Sequence, residues 1–322
     1  MSKPVVCADI EPDLVATASG EAGAAAAHRV QAHVERCGSC RDELAQYRAI
    51  EGEVTAMRSH LLAAPHVTRA RAELESRLAD LRSRLVAYRI FPSPIGNILI
   101  ARSEQGVLLI EYLGRGHRPD VSRLRRLGAE LVEGDDVEVL HRELLEYLDG
   151  RRARLEWPLD LRLVQSDFHR EVLQATAAIP YGAVASYAGL ARQVGRPRAV
   201  RAAAQALRWN PLPIAIPCHR VIGSSGALTG YAGGEATKRK LLEVEGIPIV
   251  RGHDDLHVVR DVMYVLAPGE HEYCLPTCGS VDPLPLGGRL FGSRERAEAV
   301  GLEPCTACRP DLHPLARAAR GR

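Results

Sequence analysis

Pro217-Cys218-His219-Arg220-Val221 is the stretch on which the reading of this chain turns. It follows an apolar run, Pro213-Ile214-Ala215-Ile216, and precedes a glycine-broken loop, Gly223-Ser224-Ser225-Gly226. A thiol held between apolar residues and a His-Arg pair is placed to become a thiolate. The adjacent base and the cationic charge lower its pKa, and the apolar approach keeps bulk water back. A Cys-His dipeptide taken alone is more often a buried structural cysteine. What surrounds it decides between the two.

Composition sets the bounds. The 322 residues suffice for two or three compact units, with the charge and apolar content of an ordinary soluble chain. A net charge of +2 excludes a polyelectrolyte, so any basic nucleic-acid footprint has to be local. No apolar run is long enough to span a bilayer and no leader pattern opens the chain. The expected location is the cytoplasm, with no membrane partner.

The eight cysteines are more informative. Cys37 and Cys40 make one C-x2-C, Cys305 and Cys308 another, Cys274 and Cys278 a C-x3-C, while Cys7 and Cys218 stand apart. In a reducing compartment close pairs read as metal ligands. If Cys7 joins the first pair and the last two pairs share a site, Cys218 alone is left over. A spare thiol is a candidate nucleophile.

Residues 1–45 hold Cys7-x25-His33-x3-Cys37-x2-Cys40. His33, Cys37 and Cys40 fit the end of a helix and the turn after it, with Cys7 as the fourth corner of a structural zinc site. The spacing resembles the zinc-binding anti-sigma factor domain, which implies a sigma factor as partner. A zinc-stapled helical cap without that partner is the competing reading. Leu44, Tyr47, Ile50, Val54 and Met57 continue at helical spacing, and Ala64-Pro65-His66 breaks the run. Leu74, Leu78, Leu81 and Leu85 follow among arginines and acids, so residues 46–85 read as a helical linker, either solvated or a short coiled-coil seam.

From Val86 the period becomes that of strands: Val86–Phe91, Gly96–Arg102 and Val107–Tyr112, with a turn at Ser103-Glu104-Gln105-Gly106. Helical patterns around Arg118–Leu127 and Asp136–Leu148 complete a supporting sheet subdomain over 86–163, in which His117 and His141 are expected to face solvent. Residues 164–250 form a helical half. Asp167–Ala178 is amphipathic and ends at the turn sequence Ile179-Pro180-Tyr181-Gly182. Ser186 is placed to cap a helix through Val194, Gly195-Arg196-Pro197 punctuates, and Ala199–Arg208 follows, small-faced and basic. Helix, short turn and basic helix suggest a helix-turn-helix whose small side chains permit close approach to a groove; tight helix packing is what such an alanine-rich helix would mean alone.

The run Ile179-Pro180-Tyr181-Gly182, Ser186-Tyr187, Arg201, Asn210-Pro211, Ile216 to Val221, Gly230-Tyr231-Ala232-Gly233-Gly234, Lys238, Leu241-Leu242 and Glu245-Gly246 resembles the O6-alkylguanine-DNA alkyltransferase family, in order and spacing, over about 165 residues. The resemblance implies an S-methyltransferase that moves an alkyl group from O6-alkylguanine, with O4-alkylthymine as a further candidate, in double-stranded DNA onto Cys218, once per molecule and without a cofactor. It implies His219 as the base, Glu245 as the group that orients it and Asn210 as the brace of the turn. Arg201 becomes the finger that enters the stack, and Tyr187 the residue that rotates the nucleotide and donates to the base. Ala202, Arg208 and Arg220 complete the DNA surface. Tyr231, Ala232, Val221, Pro213 and Lys238 become the pocket, although Ala232 stands where some members carry serine.

Residues 257–322 contain Cys274-x3-Cys278-x26-Cys305-x2-Cys308, four thiolates at zinc spacing. With Tyr273, Ala297-Glu298-Ala299-Val300-Gly301 and Cys308-Arg309-Pro310, the segment resembles the metal-binding domain of the Ada regulator, which implies zinc at these cysteines and Cys274 as a methyl acceptor from phosphotriesters. Gly279-Ser280-Val281-Asp282-Pro283 lacks the basic residues needed to grip phosphate, which favours a structural module. The expected fold is multi-domain α+β: a small sheet subdomain and a winged helix-turn-helix-like domain, flanked by two zinc modules. The alternative function is a regulator, responsive to alkylation or redox state, that binds a sigma factor through its N-terminal end.

Overall fold

The change from helical to alternating apolar period is also where the chain divides. The computed structural model describes residues 5–63, 65–113, 122–164, 166–252, 255–281 and 287–315, and it forms two compact units, Met1–Asp80 and Leu81–Arg322.

The first unit is helical: α1 (Val5–Ala18), α2 (Ala24–Val34), α3 (Gly38–Ala63) and most of α4 (Pro65–Arg84). Leu14, Val30, Val34 and Leu44 close over Cys7 and Cys40 in a small core, and Arg29 of α2 pairs with Asp13 of α1 at 2.7 Å. The apolar stripe of α3 is covered only at its start, since Ile50 and Met57 are exposed. Helix α4 likewise shows Leu74 and Leu78 to solvent beside the exposed pairs Arg71–Glu75 and Arg77–Glu73, the behaviour of a solvated helix.

In the second unit β1 (Leu85–Phe91), β2 (Asn97–Ser103) and β3 (Gly106–Leu113) form an antiparallel meander, with Val86 opposite Ser103 and Ile98 opposite Tyr112. After α5 (Ser122–Arg125), β4 (Glu130–Glu133) adds parallel to β1. Its pattern, Glu-Leu-Val-Glu at a sheet edge, is too short and too polar to be read as a strand. His117, and the beginning of the helix expected over Arg118–Leu127, lie outside the described residues. The 3-10 turn Asp135–Val137 leads into α6 (Glu138–Leu148), which buries Leu144, Tyr147 and Leu148. His141 is half-buried at the surface: its ring stacks on Phe91 at 4.2 Å and Nε2 meets Pro92 O at 3.0 Å.

The helical half comprises α7 (Asp167–Ala177), β5 (Ala183–Ser186), α8 (Tyr187–Gln193) and α9 (Val200–Arg208). Ser186 Oγ accepts from Gly189 N–H at 2.9 Å and so caps α8. Gly195, at φ +71, turns the chain toward α9. Ala203, Ala206 and Leu207 bury one face of α9, while Arg201, Ala202 and Arg208 point outward. A 3-10 turn at Cys218–Arg220 follows, then β6 (Val221–Ile222), α10 (Gly234–Val244) and a hairpin of β7 (Ile249–Arg251) and β8 (Leu256–Val258).

The C-terminal residues supply β9 (Tyr264–Leu266), β10 (Glu272–Cys274), β11 (Arg289–Phe291), α11 (Arg294–Glu298) and β12 (Glu303–Pro304). Their strands do not form a sheet of their own. The order is β12-β10-β9-β11-β5-β6, with Phe291 opposite Ala183 and Arg289 opposite both Ala185 and Leu266. Residues 164–250 and 257–322 therefore share one sheet. The meander is tied in as well, because Ile110 N–H donates to Pro211 O at 2.8 Å, just before the cysteine turn.

Candidate active site

The turn that leads to Cys218 is tight. Ile214 adopts φ +74, a left-handed conformation that is costly for a β-branched residue. Asn210 holds the backbone around it. Its Nδ2 donates to Ile216 O at 2.9 Å and to Cys218 Sγ at 3.2 Å, and its Oδ1 accepts from Leu212 N–H at 3.0 Å.

Cys218 is 5% exposed. Burial pushes its thiol above the ordinary value, against the opposing pull of the Asn210 N–H and the Lys238 charge. The sequence expectation of a lowered thiol is therefore not met. The resting group is a thiol, because the same apolar packing that excludes water also penalises the thiolate.

The imidazole is organised on the other side. His219 is fully buried and its Nε2 lies 2.7 Å from Glu245 Oε1. With Nε2 donating to a carboxylate, Nδ1 carries the lone pair; it is buried and has no hydrogen-bond partner among the described residues. Burial holds the imidazole below its ordinary pKa although Glu245 pulls the other way, so the ring is neutral. For Glu245, burial would raise the carboxyl, but the Arg220 guanidinium and the His219 ring outweigh it and hold the pKa at about 2. Four groups satisfy the carboxylate: Tyr147 Oη donates to Oε1 at 2.5 Å, Arg220 Nε donates to Oε2 at 3.0 Å, Gly182 N–H donates to Oε2 at 3.1 Å, and His219 completes the set.

Other expected site residues fall elsewhere. Arg220, expected on the DNA surface, is buried against Glu245 and donates to Ile179 O at 2.6 Å, so it is not available to DNA. Lys238, expected at the pocket rim, is fully buried; its Nζ donates to Val221 O at 2.6 Å and to Thr229 O at 3.0 Å, and burial lowers its pKa to about 8. It cross-braces the loop. Val221 and Pro213 are buried core residues. Tyr187 and Tyr231 are half-buried and pack against the cluster that contains Cys218, while Ala232 is exposed. Tyr187 Oη donates to the carbonyls of Thr229 and Gly230, at 3.2 Å each.

Two site residues escaped the sequence reading. Tyr147 of α6 joins Glu245 to Arg220. Tyr112 of β3 places its hydroxyl 2.6 Å from that of Tyr231, and its ring packs close to Gly233, where an added Cβ would lie 2.9 Å from Tyr112 Cδ2. Neither carries a motif. The one signal available is that Tyr112 shares a strand face with Ile110, and both join the cluster around Cys218.

Both cysteine groups assemble. The ligand atoms of Cys7, His33, Cys37 and Cys40 lie within 4.8 Å of one another, and so do those of Cys274, Cys278, Cys305 and Cys308. Each set is compatible with zinc.

Fold and site together define a protein that holds a buried cysteine, followed in sequence by the histidine of a buried histidine–carboxylate pair, beside a helix-turn-helix. Residues 86–161 match the family model for the 6-O-methylguanine DNA methyltransferase ribonuclease-like domain, residues 167–247 that for its DNA binding domain, and residues 264–311 that for the metal binding domain of Ada. A methylated-DNA–protein-cysteine methyltransferase of Methanosarcina barkeri is 40% identical over 159 residues, covering 49% of this chain and 96% of the relative. The inducible enzyme of that name from Bacillus subtilis is 38% identical over 155 residues, covering 46% and 84%. The crystal structure of the Mycobacterium tuberculosis O6-methylguanine methyltransferase aligns with a TM-score of 0.43 at 38% identity, covering 50% of this chain and 92% of that one. The chain belongs to the methylated-DNA–protein-cysteine methyltransferase family, and its relatives match about half of it. Among the described residues no helix is long and apolar enough to cross a membrane.

Proposed function

We propose that this chain repairs DNA by transferring a methyl or larger alkyl group from O6-alkylguanine to its own Cys218, once per molecule. The observation that carries the reading is the buried line Asn210–Cys218, His219–Glu245: a thiol beside a neutral imidazole whose acceptor nitrogen is unengaged and whose donor nitrogen meets an ionised carboxylate.

O6-alkylguanine carries its lesion on the pairing edge, so the nucleotide has to leave the stack. Arg201, exposed on α9, fills the gap, with Ala202 at close approach in the minor groove and Arg208 on phosphate. Tyr187 rotates the nucleotide and re-aims its hydroxyl from the Thr229 and Gly230 carbonyls to the base. Burial and the Cys218 sulfur raise that hydroxyl to about 12, so it stays a donor at neutral pH. Tyr231 and the backbone of Ala232 line the pocket.

A water between Sγ and Nδ1 carries the thiol proton to His219, and Glu245 stabilises the imidazolium that forms. The sulfur–carbon bond forms as the carbon–oxygen bond breaks. The bonding pair leaves with the base oxygen, and the base takes up one proton to become guanine. O4-alkylthymine presents the same alkyl–oxygen bond and belongs to the same substrate class. The thioether does not hydrolyse under mild conditions, so the product is terminal. Titration with methylated oligonucleotide is expected to plateau at one alkyl group per protein, and Cys218→Ala to bind DNA without transfer. Continued turnover, or transfer by Cys218→Ala, contradicts the reading.

Two structural zinc ions complete the proposal. Burial raises the Cys274 thiol and the neighbouring sulfurs raise it further, a penalty that a divalent cation reverses by binding thiolates. Cys274 is buried in that cluster, which favours a structural role over methyl transfer from phosphotriesters. At the other end, the Cys7–His33–Cys37–Cys40 group speaks for a metal, and a sigma-factor partner for the N-terminal unit is a second reading that rests on the resemblance in ligand spacing alone. A pull-down with sigma factors before and after methylation tests it: retention in either state supports the partner, and none in both leaves repair alone.

A further inference from the structure

The C-terminal module meets the carboxylate side of the site at Gly182. At the end of β11, Gly292 N–H donates to Gly182 O at 2.9 Å, while Gly182 N–H donates to Glu245 Oε2 at 3.1 Å. The Gly182 peptides thus link the module to the group that orients His219. Close packing surrounds this link. A Cβ at residue 292 would lie 2.7 Å from Gly246 O, directly after Glu245, and a Cβ at residue 182 would lie 2.8 Å from Arg296 Cγ. Arg296 of α11 stacks its guanidinium over the Tyr181 ring at 4.4 Å. Tyr181 Oη in turn donates to Val244 O at 2.9 Å, at the end of α10, and its ring meets that of Tyr147 edge-on at 5.9 Å. Helix α11 is itself tied to the cysteine cluster, because Tyr273 Oη donates to Glu298 Oε1 at 2.8 Å one residue before Cys274.

We propose that the C-terminal module is a positioning element for alkyl transfer: Gly292 and Arg296 hold the turn 179–182, and the Gly182 N–H sets the Glu245 carboxylate against His219. The module is thus part of the repair machinery at Cys218, apart from any chemistry of its own cysteines. This rests on the reading of His219 and Glu245 as the base and its orienting group. The positioning residues are Gly292, Gly182 and Arg296; none of them touches the reacting atoms.

The test uses the full chain with a methylated duplex, measuring single-turnover transfer to Cys218 against pH, together with oligonucleotide affinity and final stoichiometry. Arg296→Ala and Gly292→Ala are expected to slow transfer roughly tenfold, with affinity within about twofold and the endpoint still one alkyl group. The acid limb of the rate profile moves to lower pH, because the carboxylate that favours the imidazolium is less well held. The other groups facing His219, namely Tyr147, Arg220, Lys238 and Tyr231, are unchanged in these variants. Arg296→Lys, which keeps a cation over Tyr181, restores most of the rate and returns the acid limb. Glu245→Gln separates the two layers. If it slows transfer while Arg296→Ala and Gly292→Ala match the parent in rate and pH profile, the coupling is overturned and the base reading stands. If Glu245→Gln transfers normally, both fall.

Discussion

Glu245 occupies the C-cap of α10, where a carboxylate meets the negative end of the helix dipole, and it is buried. Both circumstances disfavour the charge, so its retention depends on Arg220, His219, Tyr147 and the Gly182 N–H. Glu245→Gln is expected to slow transfer about 100-fold, the scale of a mispositioned general base. It also leaves Arg220 buried without its anion, a loss of about 3–5 kcal/mol measurable by denaturant unfolding. The sign in pH follows from the depressed carboxyl. Its contribution to stability is complete above the ordinary 4.5 and is lost as pH falls toward about 2, so the parent loses stability over that interval and Glu245→Gln loses less there. His219 is also depressed, which keeps the imidazole neutral below its ordinary 6.5. The transfer rate should stay level from neutral pH to below that value before it falls; a rate that already halves at the ordinary imidazole value argues against a buried ring. Cys218 and His219 were legible from their motif. That the thiol is raised was not, because adjacency in sequence reports which charges are near but not how completely water is excluded.

At the scale of elements, α9 and β3 divide what the sequence could give. The helix-turn-helix was readable from Ser186, Gly195 and the alanines, since caps, breakers and small faces are local signals. Arg201→Ala is expected to weaken binding to methylated duplex severalfold at fixed salt, and Arg208→Ala to lower the slope of log affinity against log salt by roughly one phosphate contact. Trp209, 55% exposed just past α9, is a built-in reporter: Trp157 is buried, so a change in intrinsic fluorescence on adding DNA comes from Trp209. Strand β3 was equally readable as a strand, yet its contribution to the site was not. Alternation places Ile110 and Tyr112 on one face but does not say which layer covers it, and Tyr231 lies 119 residues away. Tyr112→Phe, which removes the hydroxyl contact to Tyr231 and leaves the ring, is expected to cost about 1 kcal/mol of stability and to alter the preference between methyl and larger alkyl groups in competition assays. An unchanged preference assigns Tyr112 to packing alone.

At the scale of the whole molecule, cysteine spacing gave the two clusters, and the shared sheet stayed hidden because β5, β6 and β11 are too short to carry a period. Their pairing is decided by tertiary contacts: Val184, Leu290 and Val265 pack together across it. Chelation of metal at Cys274, Cys278, Cys305 and Cys308 is therefore expected to lower the melting temperature of the second unit as well as loosening the cysteine loops, and a melt of that unit unaffected by chelator would place this cluster outside the folding unit. Repair at Cys218 is decided by which sulfur receives the alkyl group. Peptide mapping after reaction with duplex carrying an isotopically labelled O6-methylguanine decides this directly: the label is expected on the peptide containing Cys218, at one per protein, and label on Cys274 or on no cysteine would contradict the account.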